Sequence, residues 1–227
     1  MTFVETPLPW LRRHRGDLSA LVLVVVASVT CETQAQSIEA RGKQAAADAG
    51  PTARSIWAAI GKIGPTDFKG LGIDGTTADG MGLGEAVPVF ALTMQAVADV
   101  AGGKTLEDVA VNNEVVFPVM TRERNGASIL SVSRFQNGWR QDQVGRPALA
   151  QALVTVRSAD AERNKRSTAD YFAVEVPAAR KMFLGRGVGL DARLIPLEND
   201  ARLKLARGEA TPVRVVMQNL LSAYPPQ

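Results

Sequence analysis

His14 and Cys31 are the only histidine and the only cysteine in this 227-residue chain, and both fall within its first 35 positions. If that stretch is removed, the rest must fold without a disulfide of its own, and it carries no imidazole or thiolate for catalysis or metal binding. Its stability then rests on a hydrophobic core alone.

The stretch has the organisation of an export signal. Arg12, Arg13 and Arg15 precede an uncharged apolar run, Leu18–Val29, of about the 7–15 residues usual for a secretory h-region. A membrane-spanning helix needs roughly 20 apolar residues, and this run is shorter. Polar sequence follows, and Thr33-Gln34-Ala35 offers a small-x-small cleavage site before Gln36. The pattern predicts a signal peptide over residues 1–35 and a periplasmic or secreted product. A retained signal or a lipid on Cys31 would instead tie the chain to the membrane, but Ser28-Val29-Thr30 is a poor lipidation box.

Residues 36–227 carry 23 Lys and Arg against 20 Asp and Glu. A net charge of +3 is too small a bias to argue for nucleic acid. About 190 residues suit a single domain with a real core.

Residues 36–50 are rich in alanine and polar residues and read as a linker or a frayed helix. A single α+β domain is expected over 51–227. It opens with a helix at Pro51, striped by Ile56, Ile60 and Ile63, and a glycine-rich loop follows over 64–84. Pro88, inside the run Ala86–Leu92, points to an edge strand. The clearest pattern is a three-stranded meander, Glu114–Glu123, Ala127–Phe135 and Trp139–Val144, with Asn125-Gly126 and Asn137-Gly138 at its turns. A two-residue turn at Asn125-Gly126 would set Val119 opposite Val132. A helix beginning at Pro147 follows, then strand-like runs at Tyr171–Val176, Lys181–Arg186 and Leu190–Leu197, and a last helix after Thr211-Pro212. Meander, helix, meander, helix predicts an antiparallel meander sheet with helices packed on one face. The pattern recurs without a residue-level repeat.

Gly70-Leu71-Gly72-Ile73-Asp74-Gly75 matches G-x-G-x-x-G in letters. It lacks the preceding buried strand and following helix that a dinucleotide site requires, so no cofactor is expected. Asp67, Asp74, Asp79 and Glu85 could present oxygens to a hard cation, yet a lone Gly-x-Gly-x-Asp unit has no neighbour to complete a site, and no metal is expected. Long loops in compact domains are often binding loops, which makes Asp74 and Asp79 candidate ligand contacts. Trp139 and Tyr171 are candidates because an aromatic exposed on a sheet can stack on sugar or anchor a partner.

Glu114, Glu123, Asp142, Asp170, Glu175 and Glu198 lie on or beside expected strands, and two carboxylates suitably spaced suffice for glycosidic chemistry. No Ser-x-x-Lys or Gly-x-Ser-x-Gly occurs. Basic groups cluster at Arg163/Lys165/Arg166, Arg180/Lys181/Arg186 and Arg202/Lys204/Arg207 with acids interleaved. The expectation is an exported binding or interaction domain of the envelope or secreted space, with an envelope protein or an anionic envelope polymer as partner. The alternatives are a histidine-free envelope hydrolase with paired carboxylates, and a chaperone or inhibitor that adds a strand at the Pro88 edge.

Overall fold

The structure is a computed structural model that describes residues 36–62, 68, 80–136 and 138–225. The expected signal over 1–35, and Asp67, Asp74 and Asp79 of the glycine-rich loop, lie outside the described residues. Among those residues, no helix is long and apolar enough to cross a membrane.

The first described element is a helix, α1 (Ile38–Ile60), and it includes the segment expected to be a linker or frayed. Ser37 caps it, accepting a hydrogen bond from the Ala40 amide at 3.2 Å. Its buried positions are Ile38, Gly42, Ala45, Ala49, Gly50, Ala53 and Ile60, and all but Gly50 follow a spacing of three, four and seven. The stripe is built from small residues and therefore looks polar when scored for hydrophobicity. Its function is close approach, since a Cβ on Gly42 would come within 2.7 Å of the Pro88 ring.

The remaining elements are β1 (Gly82–Leu83), β2 (Val87–Ala91), α2 (Met94–Ala101), α3 (Leu106–Val109), β3 (Val111–Met120), β4 (Gly126–Phe135), β5 (Gly138–Gly145), α4 (Pro147–Asn164), β6 (Phe172–Val176), β7 (Lys181–Arg186), β8 (Arg193–Pro196), β9 (Thr211–Pro212) and α5 (Val213–Ala223). Thr93 caps α2 through the Ala96 amide, and the Thr105 amide donates to Asp108 in a capping box at α3. The expected runs at 171–176 and 181–186 are β6 and β7, whereas 190–197 forms a short turn of helix at Gly189–Asp191 before β8.

The strands form one sheet in the order β5-β4-β3-β2-β6-β7-β8-β9, with β1 also on β3. All neighbours are antiparallel except β2 and β6, which run parallel through Val89–Ala91 and Ala173–Glu175. Pro88 is therefore not on an edge. It precedes the three residues that pair with β6, so its missing amide falls ahead of the parallel ladder. The first meander occupies the expected strands, but its register is shifted. Val132 faces Val115, and Val119 faces Ser128. The chain reverses through Thr121–Asn125, where the Arg124 amide donates to the Thr121 carbonyl and Arg124 takes φ 63°. A three-residue loop ending in a left-handed residue replaces the two-residue Asn-Gly turn.

Helices cover both faces of the sheet, correcting the expectation of one. On β6, Phe172, Val174 and Val176 pack toward α2 and α5, while Ala173 packs toward α4 with Leu153 and Val156. Over β3 and β4, α1 covers Val115, Phe117, Val119, Leu130 and Val132. The topology gives the reason. The two meanders start from adjacent parallel strands, so a half-turn about an axis along that seam exchanges them and inverts the sheet. The helix ending the first meander, α4, then lies on the opposite face from the helix ending the second, α5.

Candidate functional site

Cross-strand pairing places side chains in rows on the α4 face. One row runs Arg140–Ser133–Glu114–Val89–Ala173–Leu184–Ile195. The next runs Val111–Ala91–Glu175–Met182. The apolar middle of the first row lies under α4 with Val89, Ala173, Leu184 and Ile195 buried. Beyond that cover the face is open. Val111 is 53% exposed and Phe135, on the Ser133 side of β4, is 50% exposed. The Arg140 guanidinium lies 5.8 Å from the Phe135 ring centroid.

Three of the six carboxylates singled out from sequence, Glu114, Glu175 and Asp142, are near enough at this open face to feel one another's charge. Glu114 is partly buried, and burial raises its pKa above the usual carboxylate range. The charges of Glu175 and Asp142 add to that rise, while Ser131 and Arg146 oppose it. Asp142 reaches this neighbourhood because it is the extra residue of a bulge in β5, opposite Ser131 and Val132. Among the described residues no group of three or more acids, histidines or cysteines is arranged to hold a metal ion.

The other three carboxylates are engaged separately. Asp170 pairs with Lys43 at 2.7 Å, which holds its pKa low. Glu198 shares Lys181 with Asp200. Glu123 sits in the hairpin loop, where hydrogen bonds from its own amide and from Thr121 lower its pKa. Glu85, at the exit of the glycine-rich loop, accepts from the Thr168 hydroxyl. The carbonyls of Glu85 and Ala86 accept from the buried Arg157 guanidinium.

Tyr171 does not offer an aromatic face to a ligand. It is 1% exposed, and its hydroxyl donates to Asp160 at 2.7 Å. Asp160, itself 1% exposed, also pairs with Arg186 Nε at 2.7 Å and accepts from Asn164 at 3.0 Å. Trp139 is half-buried on the α1 face under the Arg134 guanidinium, 5.7 Å from its ring centroid. The basic clusters are partly neutralised, since Arg166 pairs with Glu39 and Lys181 with Asp200, and Arg202 is held by the Ala223 carbonyl and the Tyr224 ring. Arg163 and Arg207 do converge, lining a cleft of about 530 Å³ with Glu209 between α4 and the segment before β9.

Neither sheet edge invites strand addition. The outer strand β5 carries Arg140, the Asp142 bulge and a largely exposed surface, while β9 is two residues long and ends in Pro212. The signals that could have located the open face were Val111 and Phe135, apolar residues at the extreme ends of their strands. The parallel seam that brings Glu175 beside them had no local signal.

No protein-family model matches the chain, and no curated protein or solved structure matches it.

Proposed function

We propose that the protein is an exported binding domain of the cell envelope or secreted space that takes a protein partner on the open part of its α4 face. The observation that carries this reading is the exposure of Val111 and Phe135 beside Glu114, Asp142 and Glu175. A large apolar side chain exposed next to charge is the composition of an interface centre with a polar rim. Three carboxylates against Arg140 favour a partner presenting Lys or Arg around an apolar centre. They disfavour an anionic envelope polymer. Export is supported by the sequence of residues 1–35.

Two measurements test the reading. Intact mass and N-terminal sequencing of protein from the native host's extracytoplasmic fraction should give a start near Gln36; an unprocessed cytoplasmic chain would refute export. A photo-crosslinking residue at Phe135 should give a discrete adduct that disappears with Glu175→Lys. The same residue at Val215, exposed on α5, should give none. Equal labelling at both positions, or an adduct insensitive to charge reversal, would refute the partner site.

The raised pKa of Glu114 favours a second reading, a hydrolase using Glu114 as a protonated acid. Two strand spacings and two residues separate Glu114 from Glu175, roughly 12 Å between Cα atoms. Long side chains can close that to the ~6.5–9.5 Å of an inverting carboxylate pair. Hydrolysis of cell-wall polymer that is lost in both Glu114→Gln and Glu175→Gln would establish this reading over the first.

A further inference from the structure

On the opposite face, a groove of about 330 Å³ runs between α1 and the strand ends at Val111 and Arg134. Arg41 lines it with its guanidinium 5.4 Å from the centroid of the buried Phe90 ring. Its Nε and Nη2 are shielded from solvent and have no hydrogen-bond partner among the described residues. Those two nitrogens form the edge that presents parallel N–H donors to a carboxylate in a bidentate fork. A buried donor without an acceptor is costly, so an acceptor supplied by a ligand gains more here than at the surface.

The rest of the groove fits that role. Arg134 is a second guanidinium at its wall, held against Trp139. A bulge at Asn113 places Asn112 in the lining, where its amide donates to the Val89 and Glu114 carbonyls at 2.9 and 3.2 Å. Asn112 pairs with Phe90 on the α1 face, whereas Glu114, two residues on, pairs with Val89 on the α4 face. Ala45, Ala110 and Val111 supply apolar surface, and Asp48 is held by Gln44 at 2.8 Å.

We propose that this groove binds one carboxylate attached to a small apolar body, with Arg41 providing the fork and Arg134 the second positive charge. Charge decides for a monoanion: Arg41, Arg134 and Asp48 leave the lining at one net positive charge, which suits a carboxylate better than a dianionic phosphate. The volume holds about ten water-sized groups at ~30 Å³ each, the size of a short chain terminus rather than a folded domain. Both nitrogens are shielded from water, so binding requires the Arg41 side chain to turn from the Phe90 ring toward the groove that it lines. The groove opens on the other face from the proposed partner surface and shares Val111 with it, while Arg41 and Arg134 take no part in that surface.

Calorimetric titration of the full chain tests the proposal with four probes: N-acetyl-Ala-Leu and octanoate, each as free acid and as amide. Either acid should bind with a Kd of about 1 mM or tighter, and its amide should not bind up to about 10 mM. Binding of the peptide acid alone would identify a chain terminus as the source, and binding of octanoate alone a fatty acid. Arg41→Gln should weaken the acid at least about tenfold, one charge-assisted contact of ~1.4 kcal/mol, with Arg41→Lys restoring part of it. Because Arg41 rests on the core, Arg134→Gln provides an exposed second variant and should weaken binding several-fold. Arg122→Gln, in the distant hairpin loop, should change nothing. Failure of both acids to bind, equal binding of acid and amide, stronger binding of inorganic phosphate, or unchanged affinity in both Arg41→Gln and Arg134→Gln would overturn the proposal.

Discussion

Replacing Asp160 by alanine should be among the most damaging single changes outside the apolar core. Its carboxylate is 1% exposed and serves three neighbours: the Tyr171 hydroxyl at 2.7 Å, Arg186 Nε at 2.7 Å and Asn164 Nδ2 at 3.0 Å. Asp160→Ala leaves a mostly buried guanidinium and a buried phenol without a shared acceptor. Breaking one side of a buried ion pair costs about 3–5 kcal/mol. For a domain of this size each kcal/mol lowers Tm by ~2–4 °C, so a fall of roughly 6–20 °C is expected. Urea unfolding should show a lower midpoint at unchanged slope. A loss below about 1 kcal/mol, the range of exposed pairs, would refute the claim that this cluster holds α4 to β6 and β7. The same cluster makes a pH prediction. Burial first, then the hydrogen bond and charge of Asp160, raise the Tyr171 pKa. The folded state therefore keeps the phenol proton after the unfolded chain has lost it near its ordinary value of ~10. This stabilisation is complete below that pH and is lost as pH rises toward the folded value. Tyr171→Phe should abolish that alkaline slope; an unchanged slope would show that another group causes it.

Three further outcomes follow from the packing and electrostatics. Gly185→Ala should destabilise by about 1–3 kcal/mol or more, because the new Cβ would lie 2.3 Å from the Phe172 ring that packs over Gly185; unchanged thermal unfolding would contradict that pairing. Arg124→Gly should stabilise by up to ~1–2 kcal/mol by relieving a left-handed backbone, and a lower Tm would show that the arginine side chain matters more than its φ. Burial raises the Glu114 pKa, so the folded state loses stability as pH climbs above the ordinary carboxylate value. Glu114→Gln should raise Tm at neutral pH but not near pH ~3; equal effects at both would remove the titration from the explanation.

Local patterns were legible in the sequence. Pro147 announced a helix start, and strand and turn residues marked both meanders. What failed was assembly. Alanine and glycine at 42, 45, 49 and 53 carry little hydrophobicity, so the packed face of α1 was hidden, although small residues are what let it lie against Pro88. Asn125-Gly126 suggested a tight turn, but the left-handed position fell one residue earlier, at Arg124, which shifted every pair along the hairpin. Pro88 suggested an edge because its missing amide is harmless there; a place just ahead of the parallel ladder is equally harmless. For the site, the sequence supplied Glu114, Asp142 and Glu175 but could not distinguish them from Glu123, Asp170 and Glu198. Their meeting depends on a bulge and on a strand pair distant in sequence. Tyr171 was misjudged because an aromatic at a strand head looks the same whether its hydroxyl reaches solvent or Asp160.

The parallel seam also bears on when the protein can act. Val89 and Ala173 are partners 84 positions apart, and closing such a loop costs roughly 2.5 kcal/mol more than closing a five-residue hairpin. The two meanders can each form from nearby partners, so the seam is the junction to be made last. Val111 and Glu175 stand on opposite sides of it, joined only through Ala91. The open face therefore has no half-formed version: a chain still emerging or still unfolded displays its pieces on separate hairpins. Recognition at that face would double as a report that folding is complete.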